Sequence, residues 1–202
     1  MSGGSRNRKK IQERNRIGCA LLAGITVFVS CFDIYFLLQI QPVQRSYLYP
    51  FPYREAVEQY AEHYHVDRDL AVAVMKNESK FQTEARSHRG AVGLMQLMPE
   101  TAEWIADQLE DGSFRIDQLH DPETNIRYGI WYLATLEREF GGNDVLAVAA
   151  YNAGHGVVLG WMQEHHWGND FSDINAIPYE ETRAYVRKVL KDREKYRILY
   201  AK

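Results

Sequence analysis

Apolar side chains recur at helical spacing through most of this chain, and no convincing run alternates as a half-buried strand would. Ile126, Ile130, Leu133, Leu136 and Phe140 form one stripe, which Gly141 and Gly142 stop. Asp67 is well suited as an N-cap, and Leu70, Val74 and Glu78 follow it at i, i+4 and i+8 on one face. Pro99 suits the first turn of another helix, with Trp104, Ile105 and Leu109 as its apolar face. Asp144 to Ala153 reads as an apolar helix with Gly154 as its C-cap. The pattern predicts helices near 54–64, 68–80, 99–110, 123–140, 144–153 and 179–197. Residues 155–177, rich in Gly, His and Trp, show no assignable period. There Trp161 and Trp167 suit either stacking on a sugar ring or burial in a core. The expected class is mainly α, in a single domain over residues 53–202. A domain of about 150 residues buries enough apolar surface to fold unaided.

The N-terminal part is organised differently. Residues 1–16 hold Arg6, Arg8, Lys9, Lys10, Arg14 and Arg16 against Glu13 alone. From Ile17 to Ile40 the chain is apolar apart from Asp33, and at ~1.5 Å per residue this reaches about 36 Å, enough for a bilayer core. The expected order is a basic cytoplasmic tail over 1–16, a transmembrane helix over 17–40 and a stalk over 41–52 with prolines at 42, 50 and 52. Basic residues on the N-terminal side point to a single-pass protein of the bacterial cell membrane with its domain outside the cytoplasm. The apolar run is too long for a cleaved signal peptide. Cys31 falls in a marginal lipidation box, but the chain stays apolar after it, so a retained anchor is favoured. Cys19 and Cys31 are the only cysteines, so no disulfide staples the outer domain. That domain carries a formal excess of seven acidic groups, and charge alone does not draw it to an anionic glycan or membrane.

The candidate chemistry begins at Glu78. Leu70 and Val74 must face the core, so the stripe directs Glu78 into the protein or a cleft at its edge. Spacing alone leaves open a frayed helix end turned to solvent. If buried, the carboxyl has its pKa raised, as a general acid near neutral pH requires. Beyond it, Gly90 and Gly93 bound the apolar run Leu94-Met95-Gln96-Leu97-Met98. Gln96 and Met95 read either as the polar contact and the adaptable floor of a groove, or as a surface amide and core filler. Tyr151 and Asn152 sit just before the Gly154 cap, at a helix mouth.

Taken in order, Glu78-Ser79, Gly93-Leu94-Met95-Gln96, Ala150-Tyr151-Asn152-Ala153-Gly154 and Glu181-Thr182-Arg183 with Tyr185-Val186 resemble the bacterial lytic transglycosylases of the soluble, goose-lysozyme-like type. The resemblance runs from about Tyr53 to Val189. It implies a lysozyme-like fold with Glu78 as the single catalytic acid. Ser87 matches a serine that hydrogen-bonds the sugar near the cleaved bond, and Met95 and Gln96 match residues that contact the glycan. Tyr151 matches a tyrosine close to the catalytic carboxyl, and Asn152 shapes the same pocket. Glu181 matches a sugar-binding acid, and Tyr185 a supporting residue beside it.

The implied enzyme is a peptidoglycan lyase, cutting the β-1,4 bond between N-acetylmuramic acid and N-acetylglucosamine without water and leaving a 1,6-anhydro sugar. Ordinary glycosidases pair two carboxyls, and no second motif supplies one here; Glu84, Asp107, Asp111 and Asp117 read as surface or turn residues. Hydrolysis in the same groove and a non-catalytic wall-binding scaffold are the alternatives. No cofactor is implied. His63, His65 and the His165-His166 pair lack the partners of a zinc site, and no basic, aromatic-interleaved patch suggests nucleic acid. The expected partners are glycan strands and, through residues 17–40, the membrane.

Overall fold

The computed structural model of the protein describes residues 28–32, 35, 36 and 38–201. The chain divides into two compact units, Met1–Pro50 and Phe51–Lys202. In the first, Pro42 lies in the opening turn of a short helix, Gln41–Val43, that runs into a π-helical turn, Gln44–Leu48. The stalk expected from its prolines is therefore coiled as far as Leu48, because Pro42 occupies a first-turn position where its missing N–H costs nothing. Among the described residues no helix is long and apolar enough to cross a membrane. The predicted tail over 1–16 and most of the predicted span over 17–40, Cys19 and Asp33 included, lie outside the described residues. Cys31 carries a free, exposed thiol.

The second unit is helical: α1 (Arg54–Tyr64), α2 (Arg68–Ser79), α3 (Pro99–Gln108), α4 (Pro122–Glu139), α5 (Asp144–Ala153), α6 (His155–His165) and α7 (Glu180–Leu199). Short 3-10 turns cover Ile116–His120 and Ile174–Ala176. Extended pairing among the described residues is limited to two isolated bridges, Arg86 with Val92 and Val92 with Leu97. Helix α6 falls in the segment that had no readable period. Its glycines at 156 and 160 dilute the pattern, and only Val158 and Trp161 on it are buried.

Helix α2 is the axis of the domain, packed along α7 and against α1. Leu70, Ala71, Val72, Ala73, Val74 and Met75 all have no exposed surface. The helix is therefore buried all round, where the Leu70–Val74–Glu78 stripe suggested one apolar face. Each of its large side chains contributes roughly 1.5–3 kcal/mol by leaving water.

Polar anchors hold its ends. Asp67 caps α2 by accepting from the Asp69 N–H at 2.8 Å, and its other oxygen accepts from Arg193 at 2.7 Å and Arg197 at 3.0 Å, both on α7. Arg193 also pairs with Asp144, so the first turns of α2 and α5 are tied to one side chain. Nearer the other end, Asp192 of α7 accepts from Lys76 at 2.9 Å and Asn77 at 3.0 Å.

Helix α3 departs from expectation on one point. Ala102, Ile105 and Ala106 form its buried face, while Trp104 is 43 % exposed. Residue 104 stands next to the buried positions on the helix rather than among them, so its indole leans outward.

Candidate active site

The last turn of α2 delivers Glu78 and then stops sharply. Lys80 and Phe81 both take left-handed backbone angles, φ +52° and +66°, which side-chain-bearing residues adopt at a cost of order 1 kcal/mol each. Ser79 holds this turn: its hydroxyl donates to the Met75 carbonyl at 3.3 Å and accepts from the Phe81 N–H at 3.0 Å.

The loop that follows folds back on itself over Asn125 of α4. The Asn125 side chain, wholly buried, donates to the carbonyls of Val92 (3.0 Å) and Leu119 (2.9 Å) and accepts from the Met95 N–H (2.7 Å). Gly93, at φ +82°, lies against it; a β-carbon there would stand 2.3 Å from the Asn125 amide nitrogen. Sequence reasoning passed over Asn125. Its signal is a lone amide beside Ile126, at the edge of a core stripe.

Glu78, Ser87, Gln96, Tyr151, Asn152 and Glu181 line one cleft. Tyr132 and Thr101, which the sequence did not single out, line it too. Four elements thus contribute helical residues, α2, α3, α4 and α5, and α7 adds Glu181 from its first turn. Trp161 and Trp167 do not belong to the cleft lining: Trp161 is buried against Tyr179, and Trp167 stacks on Phe171 at 3.9 Å.

The polar atoms of these residues are already partly committed. Ser87 Oγ accepts from the Ala91 N–H at 2.9 Å, which leaves its proton to donate. Gln96 donates to the carbonyls of Ala85 (3.0 Å) and Gly93 (2.9 Å), so it offers the cleft its carbonyl oxygen alone. Asn152 Oδ1 accepts from Thr182 at 2.8 Å, leaving the amide N–H groups for a ligand.

Two tyrosines frame the acid. Tyr185 donates to Glu78 Oε1 at 2.5 Å, and Tyr151 donates to the Met95 carbonyl at 2.8 Å. Burial, and after it the charge of Glu78, pushes both phenols well above their ordinary pKa, so both act as donors at neutral pH. Glu78 itself is pushed up to about 7 by burial, against which the Tyr185 hydrogen bond pulls it down. Both its protonated and its ionised forms are therefore populated near neutrality.

Two residues differ from their expected positions. Met95 has no exposed surface, and its side chain packs on Gly129, where a β-carbon would meet Met95 Cβ at 2.5 Å. It supports the loop from within and is absent from the cleft lining, and its N–H and carbonyl are both fixed, to Asn125 and Tyr151. Tyr185, expected beside Glu181, instead contacts the acid itself.

The chain is similar to known proteins over this domain. Residues 55–174 match the family described as Transglycosylase SLT domain. Over 149 residues the chain is 37% identical to the soluble lytic murein transglycosylase of Escherichia coli (strain K12), covering 70% of this chain and 22% of that protein. The crystal structure of the 70 kDa soluble lytic transglycosylase from Escherichia coli aligns with a TM-score of 0.71 and 34% identity, over 75% of this chain and 25% of that one. An inactive glutamate-to-glutamine mutant of lytic transglycosylase Slt from Pseudomonas aeruginosa aligns with a TM-score of 0.67 and 32% identity, over 83% of this chain and 28% of that one. The chain thus spans about a quarter of the length of these relatives, over the segment that carries the cleft. Mainly α, lysozyme-like in its domain and matched from residue 55 to residue 174, the chain belongs to the SLT-domain transglycosylase family.

Proposed function

We propose that the protein is a membrane-anchored lytic transglycosylase, cleaving the β-1,4 bond between N-acetylmuramic acid and N-acetylglucosamine in peptidoglycan. The observation that carries this reading is the Glu78 carboxyl, set in a cleft, raised to about 7 and hydrogen-bonded by Tyr185. Such a group exists in both protonation states at neutral pH, as one residue serving as acid and then base requires.

Protonated Glu78 donates to the bridging oxygen as the bond to C1 of muramic acid breaks, and the N-acetylglucosamine leaves as an alcohol. The resulting carboxylate takes the proton of the C6 hydroxyl, whose oxygen closes on C1. The products are that free end and a 1,6-anhydro sugar; Glu78 ends as it began, and no water is consumed. Tyr185 steadies the carboxylate between the two steps. Ser87, the Gln96 carbonyl, Asn152 and Glu181 orient the sugars, and Tyr151 fixes the loop through the Met95 carbonyl while walling the acid from water.

A single acting carboxyl fits the electrostatics. A second carboxylate about 5–5.5 Å away, as in a retaining glycosidase, would raise Glu78 by charge repulsion. Burial and Tyr185 alone act on it. The membrane anchor rests on the apolar run over 17–40 and the basic tail before it, which also argue for a cytoplasmic N-terminus and a catalytic domain on the extracytoplasmic side.

The test is mass spectrometry of purified peptidoglycan digested by the full chain in mild detergent, beside Glu78→Gln. Anhydromuropeptides that vanish with the variant support the reading. Reducing-end muropeptides would make the protein a hydrolase, and binding without products a wall-binding scaffold.

A further inference from the structure

We propose that Trp104 prolongs the cleft into a second, sugar-stacking subsite that takes the glycan strand some distance from Glu78. The choice of a glycan as ligand rests on the proposed function; the site itself rests on how the aromatic rings are arranged.

Thr101 lines the cleft, and Trp104 follows it at i+3, one turn along the same face of α3. A ligand leaving the cleft past Thr101 therefore meets the indole next. Tyr132 makes the same connection from α4. It lines the cleft, and its ring centroid is 6.3 Å from that of Trp104, at an interplanar angle of 82°. Trp131 abuts Trp104 as well, at 5.5 Å and 63°. On its other side Tyr132 stands 5.5 Å from Tyr151, the wall of the acid's pocket. A chain of rings thus runs from beside Glu78 to the surface of α3.

Neither Trp131 nor Tyr132 lies flat on Trp104, and the indole is left 43 % exposed. A lone exposed apolar side chain is ordinary. An exposed indole backed by two further rings, one of which lines a polar cleft, is the arrangement of a binding groove. The chemistry suits a saccharide. A pyranose ring shows one face of C–H bonds, which packs on the electron-rich face of an indole, while its hydroxyls point to water. The ring has no charge to select the stem peptide, so the subsite reads the sugar backbone. Only a strand long enough to extend from Glu78 past Thr101 gains the contact.

The test measures equilibrium binding of peptide-free glycan strands to the full chain carrying Glu78→Gln, so that nothing is cut, with and without Trp104→Ala. Long strands should bind roughly five- to tenfold more weakly after the substitution, and a disaccharide within about twofold of the parent. Trp104→Tyr should restore most of the loss. Equal weakening at both lengths would show a merely structural effect and overturn the proposal. So would unchanged binding of the long strand, or a parent that holds long strands no more tightly than the disaccharide. Wild-type cleavage is scored separately: length discrimination without anhydro products would sink the proposed reaction and keep the subsite. Cleavage with unaltered binding in Trp104→Ala would do the reverse.

Discussion

Tyr185 donates its phenolic hydrogen to Glu78 Oε1 at 2.5 Å, joining residues 107 positions apart in the chain and coupling α7 to the end of α2. The bond favours the carboxylate, so it opposes the burial that raises the acid. Removing it in Tyr185→Phe lifts the Glu78 pKa above about 7. The alkaline limb of the pH–rate profile should move to higher pH. The maximal rate should fall, since the carboxylate loses its donor in the second step. A profile that keeps its alkaline midpoint would show that Tyr185 does not bear on the acid.

Glu78 also sets a pH dependence of stability. In the unfolded chain it titrates near 4.5 and in the fold near 7. Between those values the unfolded chain gives up a proton that the folded one retains, so stability is present below the lower value and lost as pH rises through the upper one. The loss approaches about 3 kcal/mol. Glu78→Gln abolishes this dependence, so its melting temperature should exceed that of the wild type by more at pH 8 than at pH 5. Equal differences at the two pH values would refute the raised pKa.

Asn125→Ala should cost about 2 kcal/mol or more, because the Leu119 carbonyl and the Met95 N–H are left buried without partners, while the Val92 carbonyl keeps only the Leu97 N–H. Urea denaturation measures the loss. Activity should fall further than stability requires, since the loop that carries Ser87 and Gln96 loses its tether.

Gly129→Ala tests the support beneath the cleft. The added methyl group would meet Met95 Cβ at 2.5 Å and Cγ at 2.6 Å, so Met95 must move, at roughly 1–3 kcal/mol. Its carbonyl is the acceptor of Tyr151, and the displacement should lower kcat even under conditions where the variant is fully folded. Thermal melting and steady-state kinetics, read together, separate the two effects.

Helical periodicity made most of the fold legible, because helices with a strong apolar stripe and a good cap announce both their phase and their start. Helix α2 begins where Asp67 predicts, and α5 covers Asp144–Ala153 as expected. Helix α6 was hidden because glycines interrupt it and it buries little. The site was legible where residue order mattered: Glu78, Ser87, Gln96, Tyr151, Asn152 and Glu181 come together in one cleft. It was illegible where tertiary contact decides. Nothing local to Tyr185 reports that it meets Glu78 across the fold. Met95 differs from Gln96 only in which way the loop turns each side chain, and that turn is set by Asn125 from another helix. Trp104 shows the same limit, since an apolar residue at the margin of a stripe reads alike whether it faces a core or a groove.

Helix α2, without exposed surface from Leu70 to Met75, has a consequence for how the protein fails on heating. Segments packed on every side exchange their amide hydrogens only when the whole domain opens, whereas binding loops open locally at lower cost. The residue proposed to do the chemistry follows that stretch by three positions on the same helix, which should exchange among the slowest parts of the molecule. Warming the protein therefore loosens its grip on the sugar strand before it disturbs the acid, and the acid leaves its position only at the temperature at which the domain itself comes apart.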